Sequence, residues 1–138
     1  SSVSGGYQNQ AKGDSYNLEG DYVEAYTSIS GGLNNYAEGR YASVSGGSAN
    51  RATGGYSSIV AGNGNSAEGE GSAVMGGMAN LAEGGHSSIS GGKGNEATGI
   101  FSWISGGGLN IASGEHSSIS GGLENKATGG YSWISGGG

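Results

Sequence analysis

The sequence has no cysteine and no proline, and its 138 residues include only five Lys plus Arg. Without cysteine there is neither a disulfide framework nor a thiolate metal site. Five basic residues against eleven acidic ones, a formal net charge of -6, leave no electropositive footprint for nucleic acid. No apolar run approaches the roughly 18 residues of a membrane-spanning helix. What abounds is Gly, with 34 residues, followed by Ser. So much Gly without a Gly-X-Y period and without Pro is not collagen. Gly and Ser richness alone would describe a flexible linker. The order in which the glycines occur decides between linker and fold.

That order is periodic. Ile29, Val44, Ile59, Val74, Ile89, Ile104, Ile119 and Ile134 recur every 15 residues. Asn35, Asn50, Asn65, Asn80, Asn95, Asn110 and Asn125 keep the same step, as does the series from Ala37 to Ala127. The unit reads S-x-[IV]-S-G-G-x-x-N-x-A-x-G-x-x. A fixed period this short marks a solenoid. Each unit also has two similar halves, such as Ser102 to Gly106 and Asn110 to Gly114. Both alternate with period two, as short strands do, and both end in Gly, where a turn and a positive φ are expected. The expected fold is an all-β parallel solenoid of 15-residue coils with two short strands per coil. Successive coils would stack about 4.8 Å apart.

Alternation assigns the faces. Ile104 points inward with Ser102, and Ala112 points inward with Asn110. Buried Ser and Asn must both be hydrogen-bonded, the Asn to turn backbone within a coil or to the Asn of the next coil, as a structural ladder. The outward residues of strand one are small and uncharged, as at Ser90, Ser105 and Ser120. The exceptions are apolar: Val60, Met75, Ala73, Trp103 and Trp133. Strand two presents a variable, charged face, including Tyr36, Arg51, Glu96 and Lys126. Ordering a 15-residue coil costs roughly 15–30 kcal/mol, whereas one buried Ile or Val returns about 1.5–3. Lateral association of identical chains through the uncharged face is therefore expected, giving an obligate homo-oligomer with those residues at its interface.

The repeat resembles the head repeats of bacterial trimeric autotransporter adhesins and is similar to repeats in phage tail fibres. The resemblance rests on [S/N]-x-[VIA]-x-G half-repeats such as Ser117, Ile119, Gly121 and Asn125, Ala127, Gly129. It implies a left-handed parallel β-roll that forms a homotrimer and binds host or matrix surfaces from an extracellular position. The family steps by about 14 residues, and the second Gly here (Gly92, Gly107, Gly122) makes 15. The chain opens and closes inside a unit, as one solenoid domain over 1–138 cut from a longer fibre would.

One segment departs from the period. Val3 and Ile29 are 26 residues apart, 11 more than one unit. Residues 14–27 are therefore expected to form either an irregular short coil with Leu18 inside or a protruding loop. Insertions in repeat proteins often map to a binding face. The candidate ligand contacts are Tyr16, Tyr22, Tyr26, Asp21 and Glu24. Oxygen ligands for Ca²⁺ are present, but neither the EF-hand spacing nor a calcium β-roll motif is. No cofactor or metal is expected. His86 and His116 share a column with Tyr41, Tyr56, Phe101 and Tyr131, which reads as an aromatic edge. Two coils part the two histidines, too far for one metal within a chain. The expected function is that of a non-enzymatic structural and adhesive fibre segment at a cell surface. A tail-fibre segment for receptor recognition is the alternative. An ice-binding solenoid ranks below both, because Thr27, Thr53, Thr98 and Thr128 form no rows.

Overall fold

The computed structural model describes residues 1–16, 22–24 and 26–137, with backbone alone for 14–16 and 22–24. It is an all-β parallel solenoid with two short strands in each 15-residue coil. Nine strands, from Ser2–Val3 to Trp133–Ile134, form one parallel sheet. Eight more, from Gln10–Ala11 to Lys126–Ala127, form a second. The register never slips: Ile104 pairs with Ile89 and Ile119, and Ala112 pairs with Ala97 and Ala127. A third line of parallel bridges runs from Tyr7↔Leu33 to Gly108↔Leu123, so each coil meets its neighbours along three lines. The two-strand reading did not contain this third contact, because single-residue bridges leave no alternation to detect.

The ladder passes over the insertion without a break, pairing Ser2 with Ser28 and Val3 with Ile29. Asp14–Tyr16 and Tyr22–Glu24 pair antiparallel with each other and belong to neither solenoid sheet. Leu18, whose burial an extra coil would require, lies outside the described residues.

The core is narrow and repetitive. One side is the Ile and Val column from Ile29 to Ile119, and the other is the Ala column from Ala37 to Ala127, all at most 1% exposed. Between them the Asn column is fully engaged. Asn95 Nδ2 donates to the Gly91 and Gly107 carbonyls at 3.0 and 3.1 Å. Its Oδ1 accepts the backbone N–H of Asn110 at 3.0 Å. Each Asn thus satisfies its own turn and locks the next coil, which is what a buried amide requires.

Two glycine columns exist because the coils approach so closely. A Cβ on Gly99 would strike the Gly114 carbonyl oxygen, and one on Gly107 would strike that of Gly122. Only the second of these columns has positive φ, +83° at Gly107. The two halves end at Gly106 and Gly114, and neither has the expected positive φ; the glycine that does, Gly107, follows the first of them by one residue. The left-handed corners lie elsewhere, mostly on residues with side chains: φ is 54° at Leu109 and 57° at Phe101. There the amide turns backwards, so that Leu109 N–H donates to Lys93 and Phe101 N–H to Gly85, both at 2.9 Å.

One inward column is unsatisfied, against the expectation that buried Ser is hydrogen-bonded. The hydroxyl oxygens of Thr27, Ser57, Ser72, Ser87, Ser102, Ser117 and Ser132 are buried with no hydrogen-bond partner. Ala42 holds the same position in its coil and is 0% exposed, so the fold accepts the position without a hydroxyl. An unpaired buried hydroxyl is a cost that alanine removes. Ser87→Ala is expected to stabilise the protein by about 1 kcal/mol, read as a higher urea midpoint. Asn80→Ala is expected to destabilise it by about 3 kcal/mol by the same measurement, because it strips partners from the Asn95 amide and the Gly76 and Gly92 carbonyls.

Candidate functional site

Two surfaces stand out from the solvated remainder. The first is the outer face of the nine-stranded sheet. Small Ser side chains line it, half-buried by their neighbours at Ser90 and Ser105. Ser105 Oγ donates to the Ser120 carbonyl at 2.6 Å, and Trp133 Nε1 donates to Ser120 Oγ at 3.3 Å. Large apolar side chains interrupt this row and stand in solvent: Val60 is 52% exposed, Met75 59%, Trp103 41% and Trp133 68%. Ala73, beside Met75, is half-buried. No charged residue occurs in either outward column of the face. Each apolar side chain is there because period-two alternation turns it outward. Neighbouring Ile59, Val74, Ile104 and Ile134 turn inward by the same rule.

The second surface is an aromatic ladder along one left-handed corner of the coils. Tyr26 stacks on Tyr41 at 5.5 Å between ring centroids, and Tyr41 on Tyr56 at 5.0 Å. Further on, His86 stacks on Phe101 at 5.1 Å, Phe101 on His116 at 4.9 Å, and His116 on Tyr131 at 4.9 Å. Interplanar angles of 7–9° in this second group mean nearly parallel rings. The cause is the coil step itself, because a residue repeated every 15 positions is carried about 4.8 Å along the axis. His86 and His116 are separated by the Phe101 ring. Among the described residues no group of three or more His, Asp or Glu could hold a metal ion.

The insertion emerges at the foot of this ladder. Tyr16 and Tyr22 are directly opposed in the hairpin, as are Asp14 and Glu24. Asp21 lies outside the described residues. Tyr26, grouped with the insertion on sequence, is the first ring of the ladder, 55% exposed. Its membership was detectable, since it precedes Tyr41 by one period. Cations gather close by. Lys12 Nζ and the Arg51 guanidinium lie 5.1 and 5.6 Å from the Tyr36 ring, and the Arg40 guanidinium lies 5.2 Å from that of Tyr41. The Tyr36 side chain hydrogen-bonds Lys12 and, with help from the Glu38 charge, holds its ammonium above the usual lysine range.

Compared with known proteins, the chain matches no family model and no curated relative. The fold and the two surfaces must therefore carry the functional argument. For the ladder the consequence is direct. Phe101→Ala deletes the two ring contacts that join His86 to His116 while leaving the coil-to-coil hydrogen bonds in place. It is expected to lower stability by about 1–2 kcal/mol without unfolding the chain, measured by thermal denaturation followed by circular dichroism.

Proposed function

We propose that this chain is a structural and adhesive segment of an extracellular fibre, built from copies lying side by side, three in the simplest arrangement. The observation that carries this reading is the uncharged outer face of the nine-stranded sheet, with Val60, Met75, Trp103 and Trp133 standing in solvent. Apolar groups in a row on an otherwise small-residue face are what an interface presents before it is covered.

A second feature supports it. Gly31, Gly46, Gly76, Gly91 and Gly106 run along the rim of this face, and a Cβ added at any of them would meet nothing. None has positive φ, and Ala61 holds the equivalent place in its coil. At these five positions the single chain gives no reason for glycine, unlike Gly121 and Gly136 of the same column with φ of +155° and +141°, whereas a neighbour approaching to backbone distance does. Slenderness, by contrast, supplies no argument. The accessible surface of 6758 Å² is close to the roughly 6,500 Å² of a compact monomer of this 13.4 kDa mass. The case for assembly rests on what the face is made of and not on how much surface there is.

In this reading each part has a task. Stacked coils give length and stiffness, and the serine face joins copies. The hairpin with Tyr16 and Tyr22, together with the tyrosine ladder at its foot, offers contact to a surface ligand. Tyrosine suits that task, presenting a large area at small entropic cost. No step of this function needs a nucleophile, a metal or a cofactor. Light scattering tests the assembly: Val60→Asp or Met75→Asp is expected to lower the particle mass, whereas Glu83→Thr, on the charged face, leaves it unchanged. An unaltered mass for both aspartate variants overturns the face assignment.

A further inference from the structure

The aromatic ladder lacks one rung. Between Tyr56 and His86 the column reaches Gly71, which has the same left-handed backbone, φ +65°, but no ring to present. Tyr56 ends one stack and His86 begins the next. Two coil steps part them, roughly 9.6 Å along the axis, twice the ladder's own spacing, of which the tilt of His86 toward Gly71 takes up a part. Exposure agrees. Tyr41, covered on both faces, is 39% exposed, whereas Tyr56, covered on one, is 56%.

The charged residues nearest this gap in sequence are all acidic. Glu70 is exposed and leans back toward the Tyr56 side, its Cγ 4.0 Å from where a Cβ on Gly55 would stand. Glu68, accepting a hydrogen bond from Ser66 Oγ at 2.8 Å, and Glu83 are exposed on the same and the next coil. No Lys or Arg occurs between Arg51 and Lys93. On the far side the imidazole of His86 tilts into the gap, its Nδ1 2.6 Å from where a Cβ on Gly71 would stand.

We propose that the Gly71 gap is a binding slot for a planar cation, the guanidinium of an arginine side chain on a partner polypeptide. An aromatic face attracts a cation through its quadrupole. A guanidinium is also flat enough to take the place of a ring, and it offers paired N–H donors to a carboxylate such as Glu70. A lysine ammonium has neither the plane nor the fork. The guest comes from another molecule, because both arginines of this chain already lie over tyrosines, Arg40 at 5.2 Å and Arg51 at 5.6 Å. This inference stands whether or not the chain assembles through its serine face.

The test is a titration of the isotope-labelled protein with N-acetyl-arginine methylamide, and in parallel with its lysine counterpart, followed by NMR. The arginine probe is expected to shift the Tyr56 and His86 ring resonances saturably, with a midpoint on the order of millimolar. The lysine probe should act about fivefold more weakly or less. Gly71→Tyr fills the rung and should abolish the response. The backbone accepts it, since Tyr41 and Tyr56 occupy this column at φ 60° and 58°, and the His86 ring must swing back from its place 2.6 Å from the new Cβ. Glu70→Gln, an exposed substitution that does not touch the ladder, should weaken arginine binding about fivefold and provides the result should Gly71→Tyr not fold. No saturable response to arginine, a lysine response of equal strength, or a response undiminished by these substitutions overturns the proposal.

Discussion

Around the circuit of each coil, backbone amides donate to carbonyls of the next coil at 2.8–3.0 Å, as from Tyr36 to Asn50, Leu33 to Gly47 and Ser28 to Ala42. This fixed approach is the constraint from which the remaining columns follow. With backbones one ladder spacing apart along three lines, a side chain at the Gly99 or Gly107 position has nowhere to go. The cross-section left inside admits one Ile or Val facing one Ala. A larger inward residue would force coils apart, and a smaller one would leave a void whose cost repeats through the stack. Monotony of sequence is thus the direct consequence of monotony of geometry.

Where the constraint relaxes, the sequence varies. The two left-handed corners of each coil point their side chains away from the stack, and there Gly, Ala, Asn, Leu, Glu, Tyr, Phe and His all occur. Holding a side chain in left-handed backbone costs roughly 1–2 kcal/mol. A stacked ring pair returns about 0.5–1.5 kcal/mol. The aromatic corner is therefore close to neutral for the fold, and stability alone does not demand aromatic residues there. Gly71, whose backbone suits that corner best, is the one position where the ladder fails.

The sequence disclosed most of the interior and little of the corners. Ile104, Ala112 and Asn110 were legible as inward because period-two alternation and a fixed 15-residue step leave one assignment of faces. The two strands of each coil followed. The left-handed corners did not, because Phe101 and Leu109 do not advertise positive φ as Gly or Asn does, and the glycines drew attention to positions that needed space instead. The third line of bridges was hidden by its variable residues, from Tyr7 to Leu123. On the surface, the serine face and its apolar interruptions could be read directly. The tyrosine ladder was only half seen, because Tyr26 was grouped with the insertion although it precedes Tyr41 by one period. The orphaned hydroxyls were misjudged as hydrogen-bonded, since an inward Ser looks the same in sequence whether or not it finds a partner.

The two polar columns inside the solenoid contrast in a way that explains how the register is kept. Ile and Ala contacts are nonspecific, and an apolar stack alone would tolerate a coil shifted against its neighbour. The Asn column does not. Each Asn binds a carbonyl four residues back, another twelve residues on, and the amide of the next Asn. A shift of one residue would bury these amides without partners, at about 1–3 kcal/mol for each group left unpaired. It would also turn the Ile column outward. The serine column exerts no such control, because its hydroxyls have no partners to lose and Ala42 replaces one of them without disturbing the stack. Register is therefore enforced by one polar column that is fully satisfied. With the register secured from inside, the outer faces and corners are free to carry contacts that the fold itself does not require.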